Sequence, residues 1–418
     1  MLIGKAILQD ITTIKKRLSD KKIVYLICIL LLDLIGFIGL YMSHGNALDS
    51  LIFNQGNDHF MDFFNHIEYT HNLSYSYRVT IHANHPPLYM VYSHVLHNIL
   101  PEGSVVNFQS GQTGNYALLL YALYCCITSV LLYSAIRVTM KGVRFSNLIA
   151  GSFFFSVVFV YTVERGNPVV LVLFMLLYAL HLMEEPSKLK KELALILFSI
   201  CANIKIYTLL LAVIYLKERR FREFFRYILY SELLFVIPLC IYFQPSEILV
   251  MLNNANSIMN PDNIAIFGIK GFYNLIISFI THNVELQETL QSFSNIPVLL
   301  ALIVNLFLFF RSTDKWEGLA YLVFIMIMTP TWSGTYTMIY LLIPMLYYYK
   351  ESDQTEGRFV QVAPAVLFAC IFSALYLPIS VNGFALSLLV SGFAIYTLMF
   401  FLWRRLSTVS FPQRRLDK

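Results

Sequence analysis

The stretch from His44 to Gly114 holds an unusual density of groups able to move protons. It carries Asp49, Asp58, Asp62 and Glu68, together with eight of the chain's ten histidines: His44, His59, His66, His71, His82, His85, His94 and His97. Read as a helix over 58–69, Phe60, Phe63, Phe64 and Ile67 fall on one stripe at i, i+3, i+4 and i+7. Asp58, Asp62, Asn65, His66 and Tyr69 fall opposite. The segment therefore reads as an amphipathic helix in a membrane interface, its two carboxylates one turn apart and facing water or a cavity. Such a pair offers a general base and a helper; a merely solvated helix face is the simpler alternative. Carboxylates and imidazoles at helical spacing also hold divalent metals. No H-E-x-x-H motif is present, so the reading is of no cofactor, with a divalent metal as the alternative.

Other groups are candidates by position. The corner His85-Pro86-Pro87-Leu88-Tyr89 forbids a helix before it and permits one to start there. It either punctuates a helix start or points His85 and Tyr89 at a site. Glu164-Arg165-Gly166-Asn167-Pro168 is a tight turn between apolar runs, where Arg165 either pairs with Glu164 or binds an anionic headgroup. Lys205 lies between two short apolar runs, 192–203 and 206–216. At 1.5 Å per residue neither run crosses a bilayer alone. Irregular backbone at that depth is tolerated only when packed in protein or lining a wet cavity, and a buried ammonium there needs a partner. A lipid phosphate is one candidate, and a carboxylate such as Asp58 or Asp62 the other. Trp332 and Tyr336, in the turn Pro330 to Tyr336, are either interfacial anchors or stacking surfaces for a sugar. The loop 244–295 carries Asn253, Asn254, Asn256, Asn260, Asp262, Asn263 and Lys270; it either covers a site or is a plain polar loop.

The elements that must position these groups are membrane helices. The 418 residues are 57% hydrophobic and 13% charged, with a mean hydropathy of +0.64, against roughly 45–50% and 25% in soluble domains. One or two soluble cores cannot hide that much apolar surface, so the chain reads as an all-α, polytopic membrane protein. The expected spans are 23–43, 115–136, 145–163, 168–183, the short pair 192–203 and 206–216, then 224–243, 296–310, 318–329, 335–349, 360–377 and 384–403, about twelve in all at ~20 residues per crossing. The run 23–43 is too long for the apolar part of a cleavable signal. With the N-terminus inside and spans alternating, 26 of the 30 Lys and Arg residues fall on the cytoplasmic side, as the positive-inside rule requires. Only Arg78, Arg165, Lys205 and Lys270 do not. Both termini are then cytoplasmic, and the net charge of +5 reflects topology rather than a nucleic-acid partner. The six cysteines sit in apolar runs without a Cys-x-x-Cys spacing and imply no disulfide framework.

Taken in order, Asp62-Phe63-Phe64, His85-Pro86-Pro87-Leu88, Arg165-Gly166-Asn167, Lys205-Ile206-Tyr207 and Trp332 to Tyr336 resemble the GT-C superfamily of membrane glycosyltransferases. They look most like its polyprenyl-phosphate-mannose-dependent mannosyltransferases, glycosyltransferase family 87. His85 stands where that family usually has an aromatic residue, and Thr208 where it usually has proline. The resemblance implies one transmembrane GT-C domain over 1–418, with an amphipathic cytoplasmic segment 1–22 and external loops 44–114 and 244–295. It implies transfer of a hexose, with inversion, from a polyprenyl-phosphate-sugar donor in the bilayer. The acceptor would be a hydroxyl of a cell-envelope glycolipid or polysaccharide on the outer face of the cell membrane, as in cell-wall biosynthesis. Asp62 is then the expected base, with Asp58 the runner-up. Lys205, Arg165 and His85 are the expected phosphate contacts, and Tyr89, Asn167, Trp332, Tyr336, Arg78 and His66 complete the substrate-binding set. A transporter or lipid flippase would more typically show internal repeats, and none is visible. An envelope-polymer ligase or polymerase, using a diphosphate-linked donor, would place its large loop late in the chain. A non-enzymatic scaffold would have no need of Lys205.

Overall fold

The computed structural model describes residues 20–51, 59–80, 82–105, 107–257, 268–281, 283–330, 334–351, 358–381 and 384–408. The expected amphipathic N-terminal segment falls almost wholly outside these, as do Asp58, Trp332, Asn260, Asp262 and Asn263.

Asp20 opens α1 (Lys21–Met42) by accepting a hydrogen bond from the Lys22 backbone N–H at 2.9 Å. After α2 (Asn46–Leu51), the first long loop builds helices of its own. These are α3 (Met61–Tyr69), a 3-10 turn over Leu73–Arg78 capped by Asn72, α4 (Pro87–Ile99) and α5 (Phe108–Thr113). Pro87 sits at the first turn of α4, where its missing N–H costs nothing. α6 (Asn115–Thr139) runs on to α7 (Ser146–Phe155) and α8 (Val157–Arg165). Between these two, Ser156 is extended and its hydroxyl accepts from the Phe159 N–H. That cap ends one helix and starts the next, with a bend of 53°.

α9 (Val169–Glu184) and α10 (Lys188–Ala202) form the next hairpin. The chain breaks at Asn203, whose side-chain amide donates to Ser199 O and Ser231 O, both at 2.9 Å. It resumes as a 3-10 segment, Ile206–Ala212, and α11 (Val213–Lys217). Then follow α12 (Phe221–Tyr242), α13 (Glu247–Ser257), α14 (Ile269–Ile280), α15 (Val284–Ser292), α16 (Asn295–Arg311) and α17 (Lys315–Met328). A second 3-10 segment, Thr335–Leu341, leads into α18 (Leu342–Lys350). α19 (Arg358–Ile371), a short antiparallel pair β1 (Ser380–Val381) and β2 (Phe384–Ala385), and α20 (Leu386–Thr408) complete the described chain. The all-helical expectation therefore holds apart from this pair of two-residue strands.

Among the described residues, four segments are long and apolar enough to cross a membrane: Lys21–Met42, Asn115–Thr139, Phe221–Tyr242 and Val284–Arg311. The bent α7–α8 pair is a fifth if counted as one span. Most of the other expected spans are shorter helices: α9 has 16 residues, α10 has 15, α17 has 14 and α18 has 9, whereas α20, over the last expected span, has 23. α17 explains part of the difference. Its side chains are buried all round, from Trp316 to Met328, so it packs inside protein rather than facing lipid. α9 packs along α6 and α10, α1 along α19, and α16 along α17. Where α1 meets the chain after α19, Gly36 lets the Ala374 and Tyr376 backbone approach closer than any Cβ would allow, and Asp33 accepts from the Ala374 N–H at 2.6 Å.

In the first long loop, α3 buries Phe63, Phe64 and Ile67 beside Tyr121 of α6. Full burial of such a side chain is worth roughly 1.5–3 kcal/mol, enough to fix the rotation of α3 about its axis. Asp62 and His66 must then face the other way, towards α8 and α4.

Candidate active site

α3 starts at Met61, later than the expected 58. Its first turn is set from outside. Phe60 is left-handed, with φ 57°, and its N–H donates to Glu164 O at 2.7 Å. Gly166 is also left-handed, with φ +69°, and a Cβ there would sit 2.8 Å from the Phe63 Cβ. Only glycine allows the end of α8 to lie this close to the start of α3. Tyr121 closes the contact by donating its hydroxyl to Val163 O.

This docking brings the Arg165–Asn167 turn onto Asp62. Arg165 Nη2 donates to Asp62 Oδ1 at 2.9 Å, and Asn167 Nδ2 donates to Asp62 Oδ2 at 2.6 Å. The carboxylate is 15% exposed and the guanidinium side chain 18%. Glu164 turns instead to His59, with Nδ1 and Oε1 3.0 Å apart. Burial alone would push the Asp62 carboxyl up. The Arg165 charge, the Asn167 hydrogen bond and the more distant Lys205 charge outweigh it and hold the group below its ordinary range. Asp62 is thus an ionised acceptor, fixed in orientation.

The polar face of α3 is covered rather than solvated, so of the two expected surroundings, water or a cavity, it meets the enclosed one. His66 and Tyr69 are buried. His66 Nδ1 shares a hydrogen bond of 2.8 Å with the Tyr89 hydroxyl of α4, and its ring lies 4.4 Å from that of His85. Burial pulls the His66 imidazole down to about 3, the nearby Asp62 opposing and Lys205 and Arg165 reinforcing. His85 is held well below its ordinary value, by burial first and then by Lys205. Both imidazoles are therefore neutral, each with one N–H to donate. Among the described residues, the buried His85 Nε2 has no hydrogen-bond partner, nor has Asn167 Oδ1.

Lys205 is buried at the break between α10 and the 3-10 segment, within electrostatic reach of Asp62, His66 and His85. Its Nζ stands 6.0 Å from the centre of the Tyr336 ring, the outer limit of a cation–π contact. Among the described residues, no oxygen accepts a hydrogen bond from this ammonium. Tyr336 belongs to the Thr335–Leu341 segment, which packs on α8 and whose Tyr340 hydroxyl accepts from Tyr207 at 3.3 Å. Asp62, Arg165, Asn167, His66, His85, Tyr89, Lys205 and Tyr336 thus gather in one place from five separated stretches of sequence.

Three further candidates remain. Asp58 and Trp332 lie outside the described residues. Arg78 faces elsewhere: its guanidinium pairs with Glu247 Oε1 at 2.5 Å and donates to Ser246 Oγ at 3.2 Å. His59, Tyr207 and Tyr340 belong to the site's support and were not singled out as candidates. Tyr207 had a signal, standing two residues after Lys205; Tyr340 had none. Among the described residues, no three His, Cys, Asp or Glu side chains converge as a metal-binding group.

What has gathered is an ionised, oriented carboxylate with two basic side chains and two neutral imidazoles around it. Such a site can take a proton and can hold an anionic group. The sequence profile of glycosyltransferase family 87 matches residues 115–334, more than half of the chain. The chain belongs to glycosyltransferase family 87. The protein is accordingly a glycosyltransferase, with helices of membrane-spanning length. The matched stretch contains Arg165, Asn167 and Lys205, while the family-87 chain contributes Asp62, His66, His85 and Tyr89 from the loop that precedes it. No curated protein and no solved structure matches the chain.

Proposed function

We propose that the protein moves a hexose from a polyprenyl-phosphate donor to a hydroxyl of a cell-envelope glycolipid or polysaccharide. The observation that supports this best is the buried Lys205 ammonium. Among the described residues this ammonium has no hydrogen-bond acceptor, and it lies within electrostatic reach of His85, whose Nε2 is likewise without a partner there. A lipid phosphate would supply the missing anion, and a buried ammonium without one is costly.

In the proposed reaction the acceptor oxygen attacks the anomeric carbon from the face opposite the phosphate. A new C–O bond forms as the bond to the phosphate oxygen breaks, giving inversion. The acceptor proton passes to Asp62, and the electron pair leaves with the lipid phosphate. Lys205 and the His85 N–H stabilise the charge growing on that leaving oxygen. Arg165 and Asn167 hold Asp62 ionised and aimed, and Tyr336 and Tyr89 wall the sugar. Asp58 remains the alternative base. The distribution of Lys and Arg along the sequence supports an outer-face site with the first long loop outside the cell.

The test is mass spectrometry of glycolipids and wall polymers from cells with and without the protein. One class should lose a single hexose without it, and the polyprenyl-phosphate hexose pool should rise. If neither envelope glycan nor donor pool changes, this reading is wrong.

A further inference from the structure

The second long loop reaches the site through one buried amide. α13 lies across the 3-10 turn Leu73–Arg78, pinned at its first residue by the Arg78–Glu247 pair. One helical stretch later, Asn254 is buried with its Nδ2 against three backbone carbonyls: Tyr77 at 2.7 Å, Ala83 at 3.0 Å and Thr80 at 3.2 Å. An amide has two protons to give, so the longest contact is shared. A single side chain thereby ties both ends of the connection between the 3-10 turn and the His85 corner.

Tyr77 completes the tie. Its side chain is fully buried, its ring lies 5.3 Å from that of Phe243, and its hydroxyl donates to His85 O at 2.8 Å. Tyr69, Leu73, Ala83, Met90 and Met251 surround it in a small core separate from the main one. His85 hangs from this frame, and its ring meets His66 and Tyr89 with centres 4.4 and 4.9 Å away.

We infer that Asn254 is a positioning residue for His85, so that the second long loop sets the geometry of the leaving-phosphate contact. The role rests on the proposed reading of His85 as a phosphate contact. Asn254 itself touches no reacting atom. It acts by fixing the backbone from which the imidazole projects, and a shift of about 1 Å in such a group can cost about 10²-fold in rate.

The test uses the full chain in detergent and reads His85 directly. Diethyl pyrocarbonate modifies accessible imidazoles, and peptide mass spectrometry compares His85 with exposed His71 in the same sample. His85 should be protected in the wild type. Asn254→Ala, and the milder Tyr77→Phe that keeps the ring, should each raise its relative modification about 5–30-fold, the change expected when one or two hydrogen bonds are lost from a local opening equilibrium. In transfer assays the double variant Asn254→Ala/His85→Ala should be no slower than His85→Ala alone, because both changes remove the same contact. Unchanged His85 modification in both variants, at unchanged thermal midpoint, would overturn the inference, as would additive losses in the double variant. Failure of the phosphate reading has a different signature: His85→Ala would keep wild-type donor use while the modification response to Asn254→Ala persisted.

Discussion

Asp62→Asn separates chemistry from structure at this site. Both carboxylate oxygens are already bonded, Oδ1 to Arg165 and Oδ2 to Asn167. An amide can keep its oxygen towards Arg165. Its new NH2 group would meet the Asn167 NH2, but Asn167 Oδ1 is buried without a partner among the described residues, and rotating that amide turns a donor clash into a hydrogen bond. The variant therefore keeps two hydrogen bonds and loses a charge. Hydrogen bonds to charged groups contribute about 1.5–3 kcal/mol and neutral ones about 0.5–1.5 kcal/mol. The stability cost should be about 1–2 kcal/mol, since the pair retains some solvent on both sides. Loss of a general base costs typically 10²–10⁴-fold, or about 2.7–5.4 kcal/mol in the barrier. The two effects are separable by single-turnover transfer from a purified polyprenyl-phosphate hexose, with thermal unfolding and donor binding measured on the same preparation. The expected result is a folded protein that binds donor and turns over at least about 10²-fold more slowly. Near-wild-type turnover would exclude Asp62 as the base. If Asp58→Asn were then inactive, the role would move to that residue; if the double variant also remained active, proton transfer to either carboxylate would be refuted.

Lys205→Ala should reduce transfer by about 10–150-fold, the equivalent of one charge-assisted hydrogen bond, and mainly through donor KM or kcat; an equal loss in acceptor KM would argue against a phosphate partner. Arg165→Gln removes the charge that holds Asp62 below the ordinary carboxylate range, so its pKa must rise and the acid limb of kcat must move to higher pH. A limb that stays in place would show that Asp62 is not the group titrating, and none is expected near pH 6.5, because His66 is held down to about 3. For the orientation, Asn72→Cys should react with an impermeant thiol reagent on intact cells and Ser187→Cys should not, scored by peptide mass spectrometry; the reverse pattern would put the site on the cytoplasmic face.

Neighbouring residues in the sequence were a poor guide to partners in this site. Glu164 and Arg165 invite pairing because they are adjacent, yet successive residues on a helix do not face each other. On the last turn of α8 one therefore turns to His59 and the other to Asp62, 103 residues away. The periodicity of α3 correctly separated Phe63, Phe64 and Ile67 from Asp62 and His66, since it reports polarity directly. It could not report what lies over the polar face, because that cover comes from α4 and from the α8–α9 turn. The apolar runs suffered from the same limit. α17 is as hydrophobic as a span, but composition does not distinguish a helix bathed in lipid from one wrapped in protein. Asn254 was visible only as one amide among several in a loop without periodicity, and the three carbonyls that give it meaning lie more than 170 residues earlier. Arg165-Gly166-Asn167 was legible as a unit, and the reason is local. Gly166 must be left-handed to end α8, and the flanking side chains are thereby thrown to the same side. Any carboxylate docked against that glycine meets a guanidinium and an amide together. Asp62 is that carboxylate, because the one-turn offset from Phe63 to Phe60 fixes which face of α3 touches the turn.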